Sequence, residues 1–304
     1  MLIKTLNDKK QIPALGLGTW KSEKGKVVQV VEKAVMDFGY RHIDCASVYG
    51  NEKEIGRGFN KIFSSKKVSR NDLFITSKLW NTKHHPNNVE KACKQTLNDL
   101  QLDYLDLYLM HWGIAFAPGN NLEPIGKDGL VKRESVSIRE TWQAMEKLVE
   151  KGLVKSIGVS NFTVMMIMDL LSYAKIKPVM NQIEIHPYNS QQELVDFCHK
   201  QGIQVTAYSP LGSSDLNSQR PIDDKTVIEI ATRYKKTPAQ ILIRWSLQRD
   251  LVVIPKSTNF DRVAENIDVF GFELSDKDME NINKLNKNYR FVDPANWWGF
   301  SYFK

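Results

Sequence analysis

Eight short apolar runs alternate with stretches of helix length along this chain, and that alternation limits its fold more than any other feature. The runs are rich in β-branched and aromatic residues. They are "ALGLGTW" ending at Trp20, "HID" at Asp44, "LFITSK" at Lys78 and "LDLYLMH" at His111. Then follow "SIGVSN" at Asn161, "VMNQIEI" around Gln182, "QVTAYS" at Ser209 and "LVVIPKS" at Ser257. Between them, apolar residues recur three or four apart, as in Val27, Val30, Val31, Ala34 and Val35, or Leu194, Phe197 and Cys198. Pro86 and Pro238 sit where a first helical turn begins. Strands that alternate with helices pair in parallel through crossover helices. Eight such units in 304 residues predict an α/β chain closed as a single (β/α)8 TIM barrel rather than an open doubly wound sheet.

No repeat or low-complexity linker interrupts the pattern, so residues 1–304 are expected to form one domain. The opening "LIKTLNDKKQIP" reads as a hairpin under the barrel floor, with Asn7 and Asp8 at its turn. Two segments exceed what a barrel needs. One is the long loop after the fourth strand, residues 113–136, rich in Gly, Pro and Asn and of the length of a lid or binding loop. The other is the C-terminal tail "KNYRFVDPANWWGFSYFK", dense in aromatics. It reads either as a packing flap or as a wall of a substrate pocket.

Composition narrows the partners. Lys and Arg number 42 against 35 Asp and Glu, a net charge of +7, but the cations are spread and mixed with acids. That is a solvated surface rather than a nucleic-acid face. Three cysteines at wide spacing, Cys45, Cys93 and Cys198, fit neither a disulfide framework nor a four-cysteine zinc site. The first residues lack the apolar run of a signal peptide. The most apolar stretch, "VMMIMDLL", is short and carries Asp169, so no membrane span is expected. These features point to a cytoplasmic protein.

Active sites of such barrels lie at the carboxyl ends of the strands. That edge carries Trp20, Asp44, Lys78, His111, Ser160 with Asn161, Gln182, Tyr208 with Ser209, and Lys256 with Ser257. In "RHIDCASVYGNEKEIG" an acid, Asp44, and a phenol, Tyr49, stand one short loop apart, able to face Lys78 and His111. A free tyrosine is a weak acid with a pKa of about 10, and a nearby ammonium lowers it. Lys78 can supply that charge, Asp44 can hold Lys78, and His111 can hydrogen-bond a substrate oxygen. The phenol could then protonate a carbonyl oxygen while another group attacks the carbon. The rim shows no nucleophile and no G-x-S-x-G elbow, so a hydride from a cofactor fills the gap. "GLGTW" lacks the third glycine of a dinucleotide fingerprint. Ser160, Asn161 and Gln182 instead suit a carboxamide, and Tyr208 offers a ring to stack on a pyridine. "IPKSTNFDRVAEN" places Lys256, Ser257, Arg262, Glu265 and Asn266 where a phosphate can be held.

The blocks "GLGTW", "HIDCASVYGNEKEIG", "SKLWN", "LYLMHW", "KSIGVSNF", "NQIEIHPY", "AYSPLG" and "IPKS", in this order, resemble those of the aldo-keto reductases from end to end. The resemblance implies that Tyr49 is the proton donor and that Asp44, Lys78 and His111 complete a catalytic tetrad. It implies that Ser160, Asn161, Gln182 and Tyr208 hold the nicotinamide of NADPH, with Thr19, Trp20 and Asp44 joining the cofactor set. Ser209, Leu211, Ser213 and Asp215 would line the pyrophosphate path. Lys256, Ser257, Thr258, Arg262, Glu265 and Asn266 would bind the adenosine end, and Lys256 and Arg262 would set a preference for NADPH over NADH. Within the family, "IRETWQAMEKLVEKGLVKSIGVSN", "AKIKPVMNQIEIHPY" and "YRFVDPANWWG" look most like aldose, xylose and hexose-6-phosphate reductases. Gly113 departs from the family, where a proline is common after "HW".

The expected activity is reduction of a small carbonyl compound, an aldehyde or open-chain sugar, by a monomer. Trp20, Val48, Trp80, Trp112 and, from the tail, Trp297 would make an aromatic pocket around Tyr49 and His111. A sugar phosphate would call on added cations, for which Lys127, Lys132, Arg133 and Arg290 are candidates. Two rivals stand beside this reading. A metal-dependent barrel hydrolase could use Asp44, His111 and His186, although the first strand supplies no H-x-H pair. A cofactor-sensing regulatory subunit, like the family's channel-associated relatives, would keep barrel and nucleotide site without turnover.

Overall fold

The computed structural model describes residues 2–23, 25–213 and 219–303. It opens with an antiparallel hairpin of β1 (Ile3–Thr5) and β2 (Gln11–Pro13). At the turn, Asp8 accepts from the Lys10 N–H and Lys9 takes a left-handed φ of 69°. The expected Asn7–Asp8 turn is therefore present.

Eight parallel strands follow in chain order: β3 (Leu17–Gly18), β4 (His42–Asp44), β5 (Phe74–Leu79), β6 (Leu105–Met110), β7 (Val154–Ser160), β8 (Met180–Glu184), β9 (Gln204–Tyr208) and β10 (Val252–Val253). The ring closes between last and first: Leu15 bridges Val253, Gly16 donates to the Val253 carbonyl at 2.9 Å, and Gly18 donates to the Pro255 carbonyl at 3.0 Å. A Cβ on Gly18 would lie 2.8 Å from the Ile254 carbonyl oxygen, so only glycine fits this seam. The two seam strands are shorter than their apolar runs suggest. Pro255 has no N–H to continue the ladder.

Helices α1 (Val27–Met36), α2 (Glu52–Ser64), α3 (Pro86–Leu100), α4 (Ile138–Glu150), α5 (Val164–Leu171) and α6 (Gln192–Lys200) connect successive strands through β9. Two helices, α7 (Lys225–Tyr234) and α8 (Pro238–Gln248), separate β9 from β10. α9 (Phe260–Ile267), α10 (Asp276–Asn283) and α11 (Ala295–Trp298) complete the chain. Their ends follow local chemistry. Pro86 and Pro238 open α3 and α8, and Ser137 with Glu140 forms a capping box on α4. The inner face of α1 buries Val27, Val30, Val31, Ala34 and Val35, as the periodicity predicts. No helix among the described residues is long and apolar enough to cross a membrane.

The core has three parts. The largest lies between the strands and the surrounding helices. A second joins Leu6 and Ile12 of the hairpin to Phe74, Leu107, Leu109, Val179, Met180 and Val252, closing the hairpin end of the barrel. The third sits at the opposite mouth: Trp80, Trp112, Phe116, Val131, Val292 and Trp298, drawn from strand ends, the long loop and the tail. One end of the barrel is thus sealed with apolar side chains, Phe74 the one aromatic among them. The other keeps polar groups under an aromatic cover.

Candidate active site

Adjacent strands bring the tetrad candidates together. Asp44 ends β4, Tyr49 ends the short 3-10 turn that follows it, Lys78 lies one residue from the end of β5, and His111 follows β6. Lys78 Nζ donates to Asp44 Oδ1 at 2.5 Å, to the Cys45 carbonyl at 2.8 Å and to Tyr49 Oη at 3.3 Å. All three ammonium donors are occupied, and the pair is buried. The Thr19 hydroxyl donates to the Asp44 carbonyl at 2.7 Å, and Asn51, from the next turn, donates to the Thr19 carbonyl at 2.9 Å. Together they fix the backbone on which the acid sits.

The protonation states follow from burial and charge. Burial works against the Lys78 ammonium, but Asp44 and Tyr49 outweigh it and hold its pKa above the ordinary lysine value. Burial pushes the Tyr49 phenol up to about 12, and Lys78 offsets only part of this. The expected net lowering is therefore reversed. Desolvation exceeds the ammonium's pull, and Asp44 opposes ionisation as well. At neutral pH Tyr49 keeps its proton. His111 is driven well below the ordinary histidine range, first by burial and then by Lys78 and His84, so its imidazole is neutral. Its ring stands edge-on to both Tyr49, at 6.0 Å, and Trp80, at 5.2 Å.

The amide-bearing candidates line the same mouth. Gln182 Nε2 donates to Asp44 Oδ2 at 2.7 Å. Asn161 Nδ2 donates to the His111 carbonyl at 3.0 Å, and Tyr208 donates its hydroxyl to Asn161 Oδ1 at 2.7 Å. Ser160 donates to the Gln182 carbonyl at 2.8 Å. Asn161 and Ser209 hold left-handed φ values of 62° and 48° just where β7 and β9 end. Such backbone strain gathers at ligand-holding positions. Three hydrogen-bonding side chains beside a half-buried Tyr208 ring fit a flat carboxamide-bearing heterocycle.

Farther round the ring, Leu211, Ser213, Ser257 and Thr258 are half-buried, and Asp215 lies outside the described residues. Lys256 reaches the Lys21 carbonyl at 2.9 Å, while Lys21 covers the Trp20 ring at 4.6 Å. Arg262 and Glu265 are exposed on α9, and Asn266 is buried. The backbone N–H of Arg262 is already capped by Asn259 Oδ1 at 3.0 Å. An anion here would therefore meet the Lys256 and Arg262 side chains rather than that N–H.

Of the pocket candidates, Trp80 and Trp112 are buried in the mouth cluster and Val48 packs on it. Trp297 is 41% exposed and stands outside the cluster; its neighbour Trp298, 1% exposed, packs on Trp112 at 4.8 Å. Lys127, Lys132 and Arg133 are exposed, whereas Arg290 is half-buried over the Phe303 ring. His186 pairs with Glu184 at 2.8 Å, a pairing the sequence reading did not anticipate. Among the described residues no group of three or more His, Cys, Asp and Glu could hold a metal ion. Sequence reasoning also missed Asn51, Glu52 and Tyr302. The spacing of Glu184 two residues past Gln182 was the one signal that could have placed it on the same strand face.

A (β/α)8 barrel with a lysine–carboxylate pair under a protonated tyrosine, ringed by amides and aromatics, defines a barrel oxidoreductase. The chain belongs to the aldo/keto reductase family, whose pattern matches residues 14–287. Aldo-keto reductase family 1 member A1-A of Danio rerio is 52% identical over 297 residues, covering 96% of this chain and 91% of its own. Aldo-keto reductase family 1 member A1 of Homo sapiens is 49% identical over 295 residues, covering 95% and 90%. The aldose reductase of Schistosoma japonicum superposes with a TM-score of 0.94 at 45% identity, covering 100% of this chain and 99% of that one. That of Giardia lamblia gives 0.92 at 46% identity, covering 96% and 98%. The family's chemistry is carbonyl reduction.

Proposed function

We propose that this protein reduces aldehydes and open-chain sugars to alcohols with NADPH, and that Tyr49 gives the proton. One observation carries the reading: a protonated Tyr49 stands 3.3 Å from the buried Lys78 ammonium, which Asp44 holds in place. A carbonyl oxygen seated between Tyr49 and His111 meets a phenol donor and a neutral imidazole. As negative charge develops on that oxygen, the phenol proton moves to it and Lys78 stabilises the phenolate left behind. The reduced nicotinamide, when bound, supplies the hydride that the side chains lack. Ser160, Asn161 and Gln182 would hold its carboxamide, and the Tyr208 ring would support its face. Lys256 and Arg262 would meet the phosphate that distinguishes NADPH from NADH. Trp80, Trp112 and Val48 keep bulk water from the reacting carbon.

We read the 304 residues as one catalytic domain, acting as a cytoplasmic monomer on a small carbonyl compound. Three buried free cysteines suit a reducing compartment. The test is consumption of NADPH with a panel of aldehydes, aldoses and aldose phosphates, compared by kcat/KM. Turnover of aldehydes in proportion to protein supports the enzyme; NADPH binding without turnover of any member would favour a cofactor sensor.

A further inference from the structure

A buried carboxylate that the site chemistry does not use anchors the root of the C-terminal tail. Glu184 ends β8, two residues past Gln182, and is fully buried. Side chains two apart on a strand share a face. Gln182 reaches Asp44, whereas Glu184 reaches the tail. Its Oε1 accepts from the Phe291 N–H at 2.7 Å and its Oε2 from the Val292 N–H at 3.1 Å. His186 Nε2 lies 2.8 Å from the same Oε1, and its ring packs on Phe291 with centroids 5.0 Å apart. His186 Nδ1 is buried without a partner. The tautomer with its proton on Nε2, donated to Glu184, therefore leaves no buried N–H orphaned. The far end of the tail is tied separately: Gly113 donates its N–H to Tyr302 Oη at 2.8 Å, a bond that a proline at this position could not make. Trp298, between the ties, and Tyr302, at the far one, pack edge-on against Trp112 at 4.8 and 5.1 Å.

We infer that Glu184, steadied by His186, is a positioning residue for substrate selection: it grips two consecutive tail N–H groups and so sets where Trp298 and Tyr302 close over the mouth. Its effect on substrates rests on the reductase reading above, while the clamp itself rests on geometry alone. Gripping consecutive N–H groups with both oxygens fixes the direction of the chain as well as its position. Glu184→Gln keeps the shape but offers one acceptor oxygen to three donors. At least one N–H must then face an NH₂ group.

The test uses the full-length protein in two assays. Without substrate, trypsin should cleave Glu184→Gln after Lys287 or Arg290 at least about fivefold faster than wild type, because a buried N–H left unpaired opens the segment. With NADPH, KM for a bulky aldehyde should rise at least about fivefold, kcat should change less, and the NADPH Kd should stay within about twofold. Val292→Pro removes one clamped N–H from the tail side and should reproduce both effects, deciding the matter if Glu184→Gln does not fold. Combined with Trp298→Ala, Glu184→Gln should add little to KM, because both act through the same wall. Fully additive KM effects, or wild-type cleavage in both single variants, would overturn the inference. A wild type that reduces no aldehyde sinks the reductase reading, and the cleavage rates still decide the clamp.

Discussion

Gln182 donates its side-chain amide to Asp44 across 2.7 Å, joining β8 to β4 through the barrel mouth. Lys78 holds the other carboxylate oxygen at 2.5 Å, so both oxygens of Asp44 are engaged. The acid is the pivot of the site. It fixes the charge beneath the Tyr49 phenol and, through Gln182, an amide at the site proposed for the cofactor.

Asp44→Asn should therefore cost more than its small change in shape suggests. It leaves a fully buried lysine without its counter-ion, a loss of roughly 3–5 kcal/mol. Lys78 answers by giving up its proton more easily, since burial then acts on it unopposed by the carboxylate. We expect a large drop in unfolding free energy, kcat/KM at least about tenfold lower at pH 7, and an alkaline limb of the pH–rate profile moved to lower pH. Denaturant melts and rate profiles on both proteins check this; an unmoved limb with full activity counts against the pivot.

Arg262→Ala should weaken NADPH by roughly tenfold or more, as loss of one charged hydrogen bond implies. NADH lacks the phosphate and should barely respond. High salt should likewise weaken NADPH more than NADH, because Lys256 and Arg262 are exposed and their charges are screened. Dissociation constants from quenching of tryptophan fluorescence are the readout, and equal losses for both cofactors would remove Arg262 from the site.

Glu52 lies behind the tetrad, buried on the first turn of α2, and takes hydrogen bonds from Ser77 at 2.6 Å and Thr96 at 3.1 Å. Burial raises its pKa from 4.5 to about 7, despite those bonds. The folded carboxyl thus keeps its proton between about 4.5 and 7, where the unfolded chain has lost it. Its contribution is fully present below pH 4.5 and is lost as the pH rises through about 7. Buried His42, with its pKa lowered to about 4 by burial, acts in the opposite sense, so the variant comparison isolates Glu52. Relative to Glu52→Gln, wild type should lose roughly 3 kcal/mol of stability over this window. Parallel stability–pH curves for the two proteins would contradict the assignment.

The barrel was legible in the sequence because each strand carries its own signal: a short β-branched run that stops at a polar residue. Asp44 and Lys78 could be placed by that rule alone; Gln182 sits inside its run and was picked out by its amide. The phenol's direction of shift could not, because it depends on how deeply Tyr49 is buried, which no motif states. Nor could the tail be resolved. Glu184 meets Phe291 107 residues away, and Gly113 meets Tyr302 189 residues away. The tail has little regular structure, so no period says which of Trp297 and Trp298 turns inward. Gly113 stood out only as a departure from the family, and its bond to Tyr302 supplies a physical reason for it.

Tyr49→Phe tests the central claim most directly, since it removes one hydroxyl and almost no volume. General acid catalysis contributes roughly 10²–10⁴-fold. Single-turnover reduction of an aldehyde with saturating NADPH should slow by that factor in the variant, with the NADPH dissociation constant within about twofold of wild type. A phenylalanine variant that reduces the aldehyde at near wild-type rate would contradict the account.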